Sequence, residues 1–169
     1  MKCILSGIVV MCLSLLSVGQ SQVSAGSKCD QASIYFNSKK FELAYTAYKA
    51  CLDTDPNNAK TWYFLGNTAF NLKKYDEAVV AYDNAIRIDP NHYQAILHKG
   101  YTLLNQEKWD ASIMTLTALI EKDPSQVKAF QYRGNAWMKS GNYQEAIADF
   151  DQVIGKTDPN YSNYFNRGL

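Results

Sequence analysis

Small and large apolar residues recur along the chain with a period of about 34 residues. One column of small residues consists of Ala32, Gly66, Gly100, Gly134 and Gly168. At a fixed offset, an aromatic column consists of Phe41, Tyr75, Trp109 and Tyr143. A polar segment such as residues 71–74 lies between the two columns in each period. The pattern predicts a helix of about twelve residues, a tight turn and a second, similar helix in every period.

Three further columns explain how these helices pack. A second small column consists of Ala44, Ala78, Ser112 and Ala146. The two columns of large residues are Tyr48, Tyr82, Leu116 and Phe150, and Trp62, Ile96, Phe130 and Tyr164. Small residues let two helix backbones approach, and large residues fill the space around that contact. Because one hairpin cannot bury its apolar face alone, neighbouring hairpins must stack.

The turns between periods carry an Asp-Pro dipeptide. It recurs at 55–56, 89–90 and 123–124 with the repeat period, and again at 158–159, one position later than that period predicts. Proline lacks an amide hydrogen and clashes with the preceding turn, so each dipeptide is predicted to end a helix. Polar residues follow each proline, among them Asn58, His92, Ser125 and Asn160. Asparagine and serine side chains accept hydrogen bonds from free helix amides, so these residues are predicted to start the next helix.

The second period most clearly resembles a known repeat, through residues 62–66, Tyr75, Ala78, Tyr82 and Pro90. These residues closely match the pattern of the tetratricopeptide repeat (TPR) family, which the chain resembles from residue 27 to 169. The resemblance implies an all-α fold, a right-handed superhelical solenoid of helix-turn-helix repeats. The predicted boundaries are 26–58 for a capping repeat 1, 59–92 for repeat 2, 93–126 for repeat 3 and 127–160 for repeat 4. Residues 161–169 read as the start of a truncated fifth repeat, or else as a half-helix that caps the array.

Residues 1–25 have the composition of a signal peptide. Lys2 precedes an apolar stretch of about 15 residues, which is short for a membrane span but normal for a signal-peptide core. Small residues at 23–25 favour cleavage after Ala25; cleavage after Gly19 and an uncleaved anchor are the alternatives. We therefore expect a secreted or periplasmic protein with no further contact with the membrane.

Two cysteines, Cys29 and Cys51, remain in the predicted mature chain. They lie at nearly equal distances on either side of the turn predicted at residues 38–40. Residues so placed face each other across a hairpin and can meet the Cα separation that a disulfide needs. An even pair in an exported chain favours a Cys29–Cys51 disulfide that pins the terminal repeat. Two buried free thiols are the alternative.

The resemblance also implies that the first helices of successive repeats line a concave groove. Helical spacing then selects candidate partner-binding residues: Phe36, Asn37, Tyr63, Asn67, Phe70, Asn71, Leu97, Tyr101, Leu104, Asn105, Asn135 and Met138. Apolar members at the repeat spacing would hold side chains of a bound peptide, and the asparagines would pair with its backbone. In the alternative interpretation the asparagines serve solubility and the apolar residues pack against neighbouring helices.

Composition and motifs argue against catalysis and nucleic-acid binding. The chain has 17 basic and 16 acidic residues, and no run of five like charges forms a nucleic-acid or membrane patch. His92 and His98 have no companions at metal-ligand spacing, and there is no glycine-rich phosphate loop. Asp149 and Asp151 are considered as a candidate acid–base pair, but they face different directions on a helix. We expect no enzyme activity, no metal and no cofactor.

These observations favour a protein–protein interaction scaffold that binds a partner peptide or helix in the groove, outside the cytoplasm. Two alternatives remain open at this point. The repeats could be the TPR portion of a larger enzyme or receptor truncated at Leu169, or they could form a self-assembly module through the last repeat.

Overall fold

The structure, a computed structural model, describes the backbone of residues 25–156. These residues form eight α-helices and no strand. The helices are α1 (Ala25–Asn37), α2 (Phe41–Leu52), α3 (Ala59–Asn71), α4 (Tyr75–Ile88), α5 (Tyr93–Asn105), α6 (Trp109–Lys122), α7 (Val127–Lys139) and α8 (Tyr143–Lys156). The predicted signal sequence before Ala25, the fourth Asp-Pro dipeptide and the predicted fifth repeat lie outside the described residues.

The helices stack in chain order as four helical hairpins. Each helix packs against the next one, and the first helices α3, α5 and α7 also contact one another across repeats. A chain that folds by contacts between sequence neighbours forms a solenoid. The predicted all-α repeat solenoid is therefore confirmed.

The small column lets one large side chain of each repeat cross the interface between its two helices. A Cβ atom added at Gly66 would lie 2.5 Å from Cε1 of Tyr82, and one added at Gly100 would lie 2.6 Å from Leu116. The corresponding distance from Gly134 to Phe150 is 2.9 Å. Contacts this short leave no room for a methyl group, which is the physical reason for the glycine column.

Each turn inside a repeat contains one residue in the left-handed backbone region. The φ angles of these residues are 56° at Lys39, 60° at Lys73, 59° at Glu107 and 85° at Gly141. In the second repeat, the amide of Lys73 donates to the carbonyl of Phe70 and that of Lys74 to the carbonyl of Ala69, both at 2.9 Å. This is the Schellman termination, which satisfies the last carbonyls of the first helix.

The Asp-Pro dipeptides end helices as predicted, although in the first repeat α2 already ends at Leu52. Asp89 accepts a hydrogen bond on Oδ1 from the amide of Asn91 at 3.0 Å, which closes the turn. The predicted helix starts are confirmed for Asn58, whose Oδ1 accepts from the amide of Thr61, and for His92. The prediction that Ser125 starts a helix is wrong. Its hydroxyl donates to Asp123, and α7 begins after Gln126 without a side-chain cap.

A disulfide joins Cys29 of α1 to Cys51 of α2, with 5.4 Å between the Cα atoms. The predicted pairing is confirmed. Close by, Ala32, Ala44 and Tyr48 are buried in the first core cluster, which continues into repeat 2 at Leu65. The disulfide therefore fixes α1, which within residues 25–156 has a neighbouring repeat on one side only, to the rest of the solenoid.

Candidate functional site: the concave groove

The first helices of all four repeats contribute side chains to a cavity of 260 Å³ on the concave face. The residues around this groove cavity are Phe36, Asn67, Phe70, Asn71, Tyr82, His98, Tyr101 and Tyr132. Five of them belong to the predicted groove set, and the structure brings these five together from α1, α3 and α5. Pockets of this kind, apolar with a few fixed polar groups, are typical binding sites.

Aromatic rings form a continuous wall between α3 and α7. The ring centroids of Phe70 and Tyr101 lie 5.3 Å apart, and those of Tyr101 and Tyr132 lie 4.6 Å apart in a stacked arrangement. On the side of the first repeat, Phe36 contacts Phe64 edge-on at 6.2 Å. Rings packed in this way are held by their neighbours, so the wall is preorganised for apolar contact with a ligand.

The polar floor of the cavity is centred on the side-chain oxygen of Asn67. The hydroxyl of Tyr82 donates to this oxygen at 2.8 Å, and Nδ1 of His98 lies 2.7 Å from it. Because an amide oxygen only accepts hydrogen bonds, the proton of the neutral imidazole is on Nδ1. Asn67 is thus fixed by two neighbours, one from its own repeat and one from the next.

Burial keeps this floor uncharged. The pKa of His98 is lowered from its usual value by burial first, and then by the nearby positive charges of Lys128 and His92. The pKa of Tyr82 is raised mainly by burial. Desolvation disfavours the charged form of each group, so neutral hydrogen bonds hold the floor together at neutral pH.

The asparagines at the ends of the first helices are partly committed to the protein itself. Nδ2 of Asn71 donates to the carbonyl of Asn67, and Nδ2 of Asn105 donates to the carbonyl of Tyr101, each at 2.8 Å. Both bonds run four residues back within one helix and satisfy a carbonyl near its end. Asn37 occupies the same position in α1 and is exposed. One role of these asparagines is therefore structural.

Not every predicted groove residue reaches the cavity. Leu97 is wrong as a surface residue: it is 3% exposed and packs in a core cluster with Ile96 and Leu116. Tyr63 lines a neighbouring cavity together with Lys60 and His92, and its ring centroid lies 5.3 Å from that of His98. Five other predicted residues are absent from the lining of the groove cavity: Asn37, Leu104, Asn105, Asn135 and Met138.

Three residues of the cavity were missed by the helical spacing argument. His98 and Tyr132 share one repeat position, which Phe64 occupies in the second repeat, so this position faces the groove next to the predicted one. Tyr82 belongs to the large column of the second helices, and its ring reaches the concave side because Gly66 leaves space for it. The repeat position of His98 was the available signal for the first two.

Comparison with known proteins shows the family and the fold. The family model for the TPR domain of cytochrome c-type biogenesis protein H matches residues 31–164. The chain belongs to this TPR family. No curated protein matches the chain significantly.

The solved structures similar to this family member share its fold. MamA from Desulfovibrio magneticus RS-1, solved from residue 41 to its end, is 20% identical with a TM-score of 0.81, and the match covers 85% of this chain and 81% of that one. Another crystal structure of MamA is 22% identical with a TM-score of 0.82, over 87% of this chain and 80% of the other. YrrB, described as a TPR protein with an unusual peptide-binding site, is 20% identical with a TM-score of 0.75, over 88% and 76%.

Two further properties of the described part of the chain bear on other site types. No helix between residues 25 and 156 is long and apolar enough to cross a membrane. Over the same residues, histidine, cysteine and acidic side chains do not gather in groups of three that could hold a metal ion. Asp149, considered above as a candidate acid or base, is 4% exposed and is bound by Arg133 through two hydrogen bonds of 2.8 and 2.6 Å.

Proposed function

We propose that this TPR domain is a non-catalytic scaffold that binds a segment of a partner protein in its concave groove. The observation that carries the proposal is the groove cavity, in which aromatic rings from successive repeats surround a fixed polar floor. TPR folds are the common property of the family and of the similar structures, and the description of YrrB names a peptide-binding site for that protein. These facts support a protein partner.

The chemistry of the lining suits a peptide or a helix. Phe36 and Phe70, which are one repeat period apart, and Tyr101 of the next repeat offer apolar surface and can hold side chains of the bound segment. The amide of Asn71 retains a second hydrogen and an oxygen, which can pair with a peptide backbone of any sequence. The groove set that we propose is the one predicted from the sequence without Leu97, extended by His98 and Tyr132.

We place this activity outside the cytoplasm. The Cys29–Cys51 disulfide supports that location, since disulfides persist in oxidising compartments such as the periplasm and the extracellular space. The signal-like composition of residues 1–25 points the same way.

Site-specific crosslinking in the native extract tests the proposal. A photoreactive amino acid replaces Asn71 in the groove and, as a matched control, Met114, which is 73% exposed on a second helix. We expect one protein partner to be captured from position 71 and not from position 114. Capture of the same proteins from both positions, or crosslinks between copies of this chain only, would contradict the proposal. In the second case self-assembly becomes the better explanation, and light scattering in a dilution series measures it.

Binding of the captured partner then tests the lining. Phe70→Ala and Tyr101→Ala each remove one ring of the aromatic wall, and each should weaken binding by about 1–3 kcal/mol. Met114→Ala serves as the control and should leave the affinity unchanged. If both ring variants bind like the unmodified protein, the groove does not hold the partner.

A further inference from the structure

A second cavity, of 370 Å³, lies between the second helices of the first two repeats. We call it the α2–α4 slot. Its apolar residues are Leu52, Trp62, Leu65, Val80 and Ala81. Val80 is 58% exposed, so the slot is open to solvent on this side. None of the slot residues belongs to the groove cavity, so the slot is a separate surface.

The charged residues of the slot are mainly acidic. Asp53, Asp76 and Glu77 line it together with a single cation, Lys49. The ammonium of Lys49 lies 5.6 Å from the ring centroid of Tyr45, and Asp76 is paired with Lys108 at 3.2 Å. Asp53 and Glu77 form no ion pair with another described residue, and Glu77 accepts a hydrogen bond from Tyr45. Lys74 lies 4.6 Å from the same ring centroid, but it is paired with Glu42 at 3.4 Å. The slot therefore has an apolar interior beside two carboxylates, those of Asp53 and Glu77, that the described residues leave without an ion pair.

The next two repeats show what occupies the same position elsewhere in this chain. Leu65, Lys99 and Arg133 are spaced by one repeat period and share one repeat position. Nζ of Lys99 reaches Asp83 of α4 at 2.6 Å. Arg133 reaches Thr117 of α6 at 3.0 Å and also binds Asp149 of α8. At the junction of repeats 2 and 3 and at that of repeats 3 and 4, a cation on a long aliphatic stem therefore bridges from the first helix to the second helix of the preceding repeat.

At the first junction this position is Leu65, so the chain supplies no such cation. Lysine and arginine bury their aliphatic stems along apolar surface while the charged head stays near water or a carboxylate. The slot offers both requirements, with Trp62 and Leu65 for a stem and Asp53 and Glu77 for a head. A side chain of this kind, from outside the domain, would bring a cation to the first junction. There Lys49 stands at the repeat position of Asp83 and Thr117, so Asp53 and Glu77 would receive the charged head instead.

We propose that the α2–α4 slot docks a basic, apolar segment of a protein partner, by inserting a lysine or arginine side chain beside an aliphatic one. Charge complementarity selects this occupant over an acidic segment, because three of the four charged slot residues are carboxylates. Tyr45 also lines the slot and is hydrogen-bonded to Glu77. Its pKa is raised to about 12, by burial first and then by the hydrogen bond to Glu77 and the charges of Glu77 and Glu42.

The position of Trp62 in the slot provides a direct test. The chain has three tryptophans, so 5-fluorotryptophan labelling gives three fluorine NMR signals, and a Trp62→Phe variant assigns the one from the slot. The probe is a synthetic peptide of three Leu-Arg-Ala units with blocked ends. Its counterpart has glutamate in place of arginine. We expect the arginine peptide to shift the Trp62 signal in a saturable manner, with the signals of Trp109 and Trp137 unchanged and little response to the glutamate peptide.

Two variants with the same charge change separate insertion into the slot from general attraction. Leu65→Lys places a cation of the chain itself in the slot, at the position that Lys99 occupies in the next repeat. It should weaken binding of the arginine peptide at least about tenfold. Met114→Lys adds the same charge at an exposed site, and its affinity for the arginine peptide should stay within about threefold of that of the unmodified protein. No saturable shift of Trp62, or equal responses of the two variants, would overturn the proposal.

A third variant keeps the test decisive if Leu65→Lys does not fold. Asp53→Asn combined with Glu77→Gln removes two charges from exposed positions and leaves the hydrogen-bond acceptor for Tyr45 in place. This double variant should also weaken binding of the arginine peptide at least about tenfold. The loss of affinity should be smaller at high salt, because screening already reduces the attraction there. Unchanged binding by this variant would equally overturn the proposal. Binding in the groove is measured separately, so either site can fail without the other.

Discussion

The ring of Tyr82 lies against the backbone of Gly66, with only 2.5 Å between its Cε1 atom and the position of a Cβ at residue 66. This contact joins the two helices of the second repeat. It also lets the hydroxyl of Tyr82 reach Asn67 on the concave side. The glycine thus determines both the helix packing and the position of a hydrogen bond in the groove floor.

We therefore predict that Gly66→Ala destabilises the protein by about 1–3 kcal/mol, because the added methyl group overpacks a buried interface. Urea unfolding measures the change. Gly141→Ala is the comparison: a Cβ there meets no atom within 4 Å, but φ is +85°, so only backbone strain of about 1–2 kcal/mol applies. A Gly66→Ala variant as stable as the unmodified protein would show that Tyr82 can move aside at little cost.

The buried ion pair of Arg133 and Asp149 gives a second prediction. The side chain of Asp149 is buried, and its carboxylate accepts two hydrogen bonds from the guanidinium. Asp149→Leu leaves the arginine without its partner and should cost about 3–5 kcal/mol. The double variant Arg133→Met with Asp149→Leu should lose less free energy of unfolding, because no uncompensated charge remains. A double variant at least as unstable as the single one would contradict this explanation.

Removing the disulfide should loosen the first repeat selectively. Replacing Cys29 and Cys51 with alanine opens a loop of 22 residues and should lower the free energy of unfolding by about 3 kcal/mol in the chain-entropy model. Hydrogen exchange should become faster in α1, whereas α7 and α8 keep their protection because repeats interact only with their neighbours. Since α1 carries Phe36, the variant should also weaken binding in the groove. Uniformly faster exchange along the chain would show that the disulfide acts globally.

Stability should decrease in mild acid because of His98. Its pKa is lower in the folded chain than in the unfolded chain, where histidine titrates at about 6.5. Below that pH the unfolded chain binds more protons, so the contribution of neutral His98 is complete above about pH 6.5 and is lost as the pH falls through the folded pKa. Urea unfolding at pH 7 and pH 5 should show a smaller difference in His98→Gln than in the unmodified protein. The same pH dependence in both would rule out His98 as a cause.

Much of the fold follows from local chemistry that can be recognised in the sequence. The repeat period places Gly66 opposite Tyr82 and Gly100 opposite Leu116, and both pairs are in contact. The spacing of Cys29 and Cys51 around one turn predicts their disulfide. The left-handed residues Lys73 and Glu107 could not be predicted by residue type, because lysine and glutamate are not typical of that backbone region.

The groove was only partly predictable, as Leu97 and His98 show. These neighbours differ by about 100° around one helix, so the rotation of α5 decides which of them is covered. The structure buries Leu97 in the core and turns His98 toward Asn67 of the preceding repeat.

The sequence by itself determined that the chain is a stack of TPR hairpins with a disulfide in the first repeat, because each of these features depends on spacing within one or two helices. Only the tertiary structure decided which side chains meet between repeats. Tyr82 reaches the groove floor from a second helix. At one repeat position, Leu65 lines an open slot, whereas Lys99 and Arg133 form polar contacts with the preceding second helix. The physical reason is that such contacts depend on the angle and distance between packed helices, and these are set by all the side chains at an interface together.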